Sequence, residues 1–330
     1  MNALISLIAV LVLMVLVLVG VGGIGWRYLF SVIIPYAAIA TFIVGFAYRI
    51  IKWARSPVPF RIPTTCGQQK SLKWIRPNNF ECPHNGWGVL GRMLLEILFF
   101  RSLFRNTKAE LRKGPQIVYG PTKWLWLAGL AFHWSFLVIF VRHFKFFAEP
   151  VPSWVLMLQD IDGIFQIGLP LIYVTDVVIV GALTYLLFRR LFIPYMRYLS
   201  LPADYFALFL LLALTGTGVC LRYFAKTDIV AVKELGTGLL SLNPVVPDGI
   251  GVVFYIHLFM VSVLLAYFPF SKLMHLGGVF MSPTRNLASN NRARRHVNPW
   301  DYPVKPHTYE EYEDEFRDVM KAAGMPLDKE

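Results

Sequence analysis

The segment FHWSFLVIFVRHF, residues 132 to 144, places His133 and His143 ten residues apart in an otherwise apolar and aromatic stretch. Ionisable side chains within the membrane are costly and usually serve a function. Of the seven histidines in the chain, His257 and His275 also lie within or at the end of an apolar run. The function therefore depends on what these four side chains can bind together.

The composition predicts a polytopic membrane protein. Of 330 residues, 56% are hydrophobic and 16% are charged, which is unlike an ordinary soluble fold. A helix needs about 20 apolar residues to cross the hydrocarbon layer. Six runs reach that length, and the first lacks the basic start and cleavage site of a signal peptide. We therefore expect an all-α membrane protein with six transmembrane helices, at about 3–25, 29–51, 122–147, 165–189, 203–224 and 251–273.

The distribution of lysine and arginine predicts the orientation. Twelve basic residues lie between the second and third runs, and further clusters follow the fourth and sixth runs. Basic loops stay on the cytoplasmic side. The turns at about 148–164 and 226–250 are acidic and proline-rich instead. We therefore expect a multi-pass protein of the cytoplasmic (inner) membrane with both termini in the cytoplasm.

The formal net charge of +12 lies in membrane-flanking loops without a nucleic-acid-binding module, so it predicts contact with lipid headgroups and no nucleic-acid partner. Cysteine is sparse, as in a protein without a disulfide framework. Cys66 and Cys82 lie in the long inner loop without CxxC spacing, so plain thiols and two ligands of a metal site both stay open.

Four parts are predicted along the chain: two N-terminal transmembrane helices (1–51), a cytoplasmic loop (52–114), a four-helix unit (115–281) and a cytoplasmic tail (282–330). The loop contains WGVLGRMLLEILFFRSLF, residues 87–104, an amphipathic helix that lies in the membrane interface or packs on a partner. The tail ends in a short amphipathic helix that is expected to dock on a soluble subunit through Tyr309, Tyr312, Phe316 and Met320.

The four histidines predict two pairs. The third and sixth runs are antiparallel in this topology, so His143 and His257 lie toward the outer face, and His133 and His275 toward the inner face. Two neutral imidazoles that face each other across a helical bundle can bind both axial positions of a haem iron. One zinc ion would need all four rings at about 2 Å, which their separation in sequence excludes.

Helical geometry supports this pairing only in part. Eighteen residues are five turns, so His257 and His275 share a face of an uninterrupted helix, whereas ten residues leave His133 and His143 about 80° apart. The rises also differ, at about 15 Å and about 27 Å. Pro269 lies between His257 and His275, and we expect it to kink the helix.

Three segments resemble the gamma subunit of respiratory nitrate reductase, a dihaem cytochrome b: FHW with RHF ten residues on, LLFRRLF at 186–192, and FYIHLFMVSVLLAYFPFSKLMH at 254–275. The resemblance covers about residues 29–281 and implies two haem b groups in a four-helix bundle. It implies that His143 and His257 bind the outer haem, that His133 and His275 bind the inner one, and that a quinone reacts near the outer haem.

The leading helix, the long loop and MSPTRNLASNNRARRHVNPWDYP at 281–303 resemble the DsrM family, membrane cytochromes b of complexes associated with dissimilatory sulfite reduction. This resemblance implies menaquinone as substrate and a cytoplasmic iron–sulfur partner, DsrK-like and similar to the catalytic subunit of heterodisulfide reductase. It also implies a periplasmic multihaem cytochrome c and further membrane and iron–sulfur subunits.

A quinol loses two protons with its two electrons, so its pocket needs groups that exchange protons with water. The candidates near His143 are Arg142, Lys145, Asp160, Asp162 and Gln166. Headgroup contact for the two cations and a solvated turn for the two aspartates are the alternatives. The lysine that lines the nitrate reductase quinone pocket corresponds to a position near Ile164 in this sequence, so that contact is missing. Asp176 and Arg222 are candidates for pairing or for neutralising a haem propionate.

The leading hypothesis is a membrane subunit that oxidises menaquinol near the outer face and delivers the electrons inward, with no substrate chemistry beyond quinone redox. A transporter with a histidine proton relay and a purely structural membrane anchor are the alternatives. Both would bind no haem.

Overall fold

The computed structural model describes the chain except for residues 59–60, 62–66, 106–107, 115, 121, 164–170, 226, 292–293, 298–302, 304 and 330. Cys66, Ile164 and Gln166 thus lie outside the described residues. The helices in chain order are α1 (Asn2–Val17), α2 (Ile34–Ala54), α3 (Gly86–Phe99), α4 (Arg101–Phe104), α5 (Lys123–Arg142), α6 (Ser153–Asp162), α7 (Val174–Phe192), α8 (Pro194–Leu199), α9 (Pro202–Tyr223), α10 (Ile229–Leu240), α11 (Val252–Tyr267), α12 (His275–Gly278), α13 (Pro283–Asn286) and α14 (Tyr309–Ala322).

Five helical segments are long and apolar enough to cross a membrane, which indicates a multi-pass membrane protein: Asn2–Gly23, Leu29–Ala54, Lys123–Phe146, Pro202–Tyr223 and Val252–Phe270. They correspond to five of the six predicted spans. The predicted span at 165–189 has no such segment in the described part of the chain. Its helix, α7, carries Asp176 in its first turn and Arg189 and Arg190 in its last. The count of six therefore stays a prediction.

The chain divides into two compact units, Met1–Ile50 with Met93–Gly278, and Ile51–Arg92 with Val279–Glu330. In the first unit α9 packs against α1, α7 and α11, and α5 packs against α7. In lipid, helices associate through close packing and interhelical hydrogen bonds rather than through exclusion of water. Accordingly, Ser6 Oγ of α1 donates to the Pro202 carbonyl of α9 at 2.7 Å. The core between these helices includes Val17, Leu183, Leu210, Tyr255 and Met260.

The last predicted span is not one continuous helix. After α11 a 3₁₀ turn at Phe268–Phe270 contains Pro269, and Ser271 has extended backbone at φ −116° and ψ 177°. A second 3₁₀ turn leads to α12, which begins at His275. The expectation that His257 and His275 share one helical face is therefore wrong, because the helix ends between them. The expected interruption at Pro269 is present, and the rise of about 27 Å for a continuous helix no longer applies.

The predicted amphipathic helix at 87–104 is divided into α3 and α4 at Phe100, whose φ of 49° and ψ of 45° are left-handed. Two tryptophans of α5 bind the end of α3. Trp126 Nε1 donates to the Phe99 carbonyl at 2.7 Å, and Trp134 Nε1 donates to the Leu98 carbonyl at 3.0 Å. These bonds satisfy carbonyls that a helix end leaves without partners. They attach the α3 end to the bundle of its own chain.

A small hairpin interrupts the otherwise helical fold. Strand β1 (Lys108–Arg112) pairs antiparallel with β2 (Gln116–Gly120), and Gly114 between them has φ +88°. The all-α prediction did not include it, since two five-residue strands carry only a weak pattern. The predicted boundary between 52–114 and 115–281 falls inside its turn. The fold is mostly helical.

In the second unit, a buried arginine holds two segments together. The Arg92 guanidinium donates to the carbonyls of Glu81 at 3.1 Å, Leu287 at 2.9 Å and Arg285 at 3.1 Å. Ser289 N also donates to the Pro83 carbonyl at 2.6 Å. Arg92 therefore joins the loop before α3 to the chain after α13 through three carbonyls. The short tail helix, α14, is present as predicted and begins with a capping box of Thr308 and Glu311.

Replacing Arg92 is expected to loosen this unit selectively. Arg92→Ala leaves three buried or partly buried carbonyls without a charged donor, at a cost of about 3 kcal/mol, and Arg92→Lys cannot reproduce the fork. Limited proteolysis of detergent-solubilised protein should then cleave the chain after α13 faster. Arg76→Ala, a change at an exposed arginine, is the control. Equal cleavage rates in all variants would contradict this account.

Candidate functional site

The four predicted histidines form two pairs in the first unit. His143 begins a 3₁₀ turn (His143–Phe146) directly after α5 and lies beside His257 of α11. Their ring centroids are 6.2 Å apart with planes inclined by 13°. His133 of α5 lies beside His275, with centroids 5.8 Å apart and planes inclined by 79°. These are the two pairs that the sequence predicts. His143 and His257 are half-buried, whereas His133 and His275 are exposed.

Three of the rings are fixed through Nδ1 by backbone carbonyls. The Nδ1 atoms lie 2.7 Å, 2.6 Å and 2.9 Å from the carbonyl oxygens of Gly129 for His133, Ile139 for His143 and Lys272 for His275. A carbonyl only accepts, so each Nδ1 carries the proton and donates. A neutral imidazole with its proton on Nδ1 presents a lone pair at Nε2. All three rings therefore have the tautomer that binds a metal through Nε2.

The fourth ring reaches the same state through a side chain. His257 Nδ1 lies 3.0 Å from Thr217 Oγ1, and the Thr217 hydroxyl donates to the Ala213 carbonyl at 2.8 Å. Because its proton is used there, the Thr217 oxygen accepts from Nδ1. The next residue, Gly218, gives the ring room, since a Cβ there would lie 3.2 Å from His257 Cε1. Sequence reasoning missed Thr217, although a polar residue inside an apolar run is a usable signal.

The centroid separations of both pairs agree with a metal ion held between the two rings. A metal–imidazole bond is about 2 Å and the ring centre lies about 1.1 Å behind the nitrogen, so two rings on opposite sides of one ion have centroids about 6 Å apart. The two observed separations, 6.2 Å and 5.8 Å, agree with that value. Within the described residues no group of three or more metal-ligating side chains occurs. Two imidazoles per ion suit haem iron, because the macrocycle supplies the other four ligands.

Close contacts position the turns that carry His143 and His275. A Cβ on Gly236 of α10 would clash with the Phe146 carbonyl oxygen, so α10 packs directly on the His143 turn. Gly45 of α2 meets Pro269 in the same way, at 2.8 Å. Lys272, whose carbonyl holds His275, forms a 2.7 Å ion pair with buried Asp204 at the start of α9. The second turn is thus held to both α2 and α9.

A buried charged cluster lies next to His143. The Arg142 guanidinium pairs with Asp162 and, at 3.3 Å, with Asp176. It also lies 3.6 Å from the ring centre of buried Tyr173, and the Arg222 guanidinium lies 4.1 Å from the same centre. Since one ring face has no room for both cations at these distances, Tyr173 separates the two guanidinium groups. We call Arg142, Asp162, Tyr173, Asp176 and Arg222 the Tyr173 cluster.

The predicted quinone contacts fall into different environments. Arg142 and Asp162 are buried and bound to each other, and Asp162 also accepts from Thr175 N at 3.0 Å at the start of α7. Lys145 is half-buried and donates to Gln159 Oε1 at 3.1 Å. Asp160 is exposed. Gln166 lies outside the described residues, so the five are not brought together as one pocket, and a quinone contact for each stays a prediction.

A mostly helical membrane protein with two facing histidine pairs, each ring fixed through Nδ1, has the construction of a membrane cytochrome b. Residues 91–295 match the nitrate reductase gamma subunit family, and the chain belongs to that family. This confirms the family resemblance that the histidine segments indicate.

Two archaeal relatives bear the same description, Hdr-like menaquinol oxidoreductase cytochrome b-like subunit. The one from Archaeoglobus fulgidus is 50% identical over 280 residues, which is 83% of either chain. The one from Archaeoglobus profundus is 39% identical over 281 residues, again 83% of either chain. Both descriptions are consistent with a membrane cytochrome b subunit of an electron-transfer complex.

If each pair holds a haem, the ring planes predict two different electron paramagnetic resonance signals. Parallel axial imidazoles donate into the same iron d orbital and split the d pair, whereas perpendicular ones leave the pair nearly equal. We expect an ordinary rhombic low-spin signal from the pair inclined by 13° and a strongly anisotropic one from the pair inclined by 79°. Spectra of the oxidised protein and of His133→Ala test this, since the variant should lose only the anisotropic signal. Two rhombic signals would be the opposite result.

Thr217 is expected to set the properties of the His257 ligand. Thr217→Val removes the acceptor for His257 Nδ1 with little change in shape, and loss of such a partner typically weakens metal binding about 10- to 100-fold. Thr217→Ser keeps the hydroxyl and should bind like the parent. Haem retention during dilution, followed at the Soret band, measures the difference. Indistinguishable retention in the valine and serine variants would refute this role.

Proposed function

We propose that the chain is a dihaem b membrane subunit that exchanges electrons with menaquinone near the outer membrane face and passes them to a cytoplasmic iron–sulfur subunit. The proposal depends on one observation: the four histidines form two facing pairs, and each Nδ1 atom is already hydrogen-bonded to an oxygen of the protein. The family membership and the printed description of the two relatives, a menaquinol oxidoreductase subunit, support it.

In this proposal His143 and His257 hold the outer haem b, and His133 and His275 hold the inner one. When bound, each haem supplies a one-electron iron couple. The Nδ1 hydrogen bonds fix the ring tautomer and leave Nε2 as the atom that would bind the metal. The Asp204–Lys272 pair and the packing of α10 and α2 fix the turns on which two of the four ligands sit.

The proposed topology has six spans, with α7 as the fourth, and both termini in the cytoplasm of a cell whose inner membrane holds the protein. The basic loops carry this orientation. Asp176 is neutralised within the Tyr173 cluster, and Arg189 and Arg190 lie in the last turn of α7, where long cationic side chains reach the interface. The four-part organisation of 1–51, 52–114, 115–281 and 282–330 belongs to this proposal.

A quinone site beside the His143–His257 pair needs side chains that reach both the ring and water. Lys145 with Gln159, and the exposed Asp160, are the proposed groups for proton exchange. Arg142 and Asp162 would act by holding the end of α6 to the start of α7 rather than by contact with the quinone, because each is bound to the other. Gln166 is kept as a proposed contact from its sequence position.

The proposed partners follow from the DsrM type of chain, whose complexes serve sulfur-compound respiration with a DsrK-like iron–sulfur subunit, a periplasmic multihaem cytochrome c and further membrane and iron–sulfur subunits. Helix α14 supports a docking role for the tail. Tyr309, Tyr312 and Phe316 of the predicted stripe are exposed, whereas Met320 is buried. Exposed aromatic side chains at helical spacing suit a partner surface.

Counting haem in purified variants tests the proposal against a proton relay and a structural anchor. The parent should contain two haems b per chain with six-coordinate low-spin spectra. His143→Ala and His133→Ala should each contain one, because each removes an axial ligand from a different pair. His307→Ala, which changes an exposed histidine of the tail, should keep both. A colourless, folded parent protein would overturn the proposal in favour of the alternatives.

A further inference from the structure

Arg222, in the last turn of α9, carries a positive charge that the described residues do not balance. Its Nη2 donates to the Leu171 carbonyl at 3.4 Å, and its Nε is buried with no hydrogen-bond partner. No carboxylate within the described part of the chain forms an ion pair with it. A cation held in apolar surroundings is costly unless it is paired.

The nearby carboxylates are already occupied. Asp162 binds Arg142 and Thr175, and Asp176 binds Arg142 and accepts from Tyr223 Oη at 2.9 Å. With Lys145 included, the region holds three cations and two carboxylates, which leaves one positive charge in excess. One further anion would neutralise this region.

The helix register places Arg222 toward the His143–His257 pair. Gly218 of α9 lies against the His257 ring, and Arg222 is four residues further along the helix. Residues four apart lie on the same helix face. Arg222 is therefore one turn beyond the contact with His257. Arg222 therefore lies on the side of α9 that contacts the His257 ring.

We propose that Arg222 is a carboxylate-binding site for the propionate edge of the haem held by His143 and His257, and that it raises the reduction potential of that haem. The inference rests on the proposed function. A guanidinium offers a planar fork that matches a carboxylate, and the Tyr173 ring holds it in place from one side. The phosphate of a lipid headgroup is the other anion with matching chemistry.

Redox titration of the purified holoprotein tests the site. In Arg222→Gln the ferric state becomes more stable relative to the ferrous state, because a cation near the haem is lost. We expect the potential of the His143–His257 haem to fall by roughly 59 mV, which is tenfold in its one-electron equilibrium. The other haem should be unchanged. Arg222→Lys should keep most of the parent potential, and Arg27→Gln, which removes an exposed arginine paired with Asp248, should change neither haem.

Each remaining outcome is decisive. Loss of only the His143–His257 haem in Arg222→Gln, with retention in Arg222→Lys, supports the site. Unchanged potentials together with less phospholipid phosphorus in the purified Arg222→Gln variant assign the site to a lipid phosphate and overturn the proposal. Equal shifts of both haems, or identical behaviour of the glutamine and lysine variants, also overturn it. A parent protein without haem refutes the proposed function itself and is distinguished by its spectrum.

Discussion

The hydrogen bond from an imidazole Nδ1 to an oxygen of the protein determines what the rest of this structure can do. In lipid, each polar atom needs an internal partner, and a helical carbonyl that already accepts one backbone bond still has a free lone pair. His133 and His143 use the carbonyl four residues earlier on their own helix. The helix that carries each ring therefore also fixes its tautomer, which leaves Nε2 as the only place for further chemistry.

The other two histidines, His257 and His275, are held differently, and this explains the irregular backbone around them. The Nδ1 atom of His257 bonds to Thr217 of α9 rather than to a carbonyl of its own helix. The orientation of this ring therefore depends on how α9 and α11 pack. His275 follows a proline break and two 3₁₀ turns, and its acceptor is Lys272 in the second of these. That turn is stable because Lys272 is bound to Asp204 and because glycines in α2 and α12 permit close approach. The interruption of the helix after α11 thus brings His275 beside His133.

The amount that sequence could predict follows the strength of each pattern. Long apolar runs predicted five of the observed segments because length and polarity alone define them. The histidine pairs were found because two antiparallel spans constrain which rings can meet. The position of His275 could not be predicted from the sequence by assuming a continuous helix. The helix ends near Pro269, and tertiary contacts determine the direction of the chain after it. Phe100 in a left-handed conformation and Tyr173 between two arginines have no local signal, because their surroundings come from segments distant in the chain.

The surroundings of the two pairs differ in burial. The His143–His257 pair is half-buried beside Lys145 and the Tyr173 cluster, which together hold three cations and two carboxylates. The His133–His275 pair is exposed, and two cations, Lys272 and Arg190, lie near Asp204 beside it. A ferric bis-imidazole haem carries one more positive charge than its ferrous form, so both burial and a nearby cation favour reduction. In the proposed dihaem arrangement the difference in burial therefore places electrons preferentially at the His143–His257 level. In the proposed topology, with the proposed partner subunit, transfer from there toward the cytoplasm would need a driving force from that partner, since inward movement of an electron opposes an inside-negative potential at about 2.3 kcal/mol per charge per 100 mV.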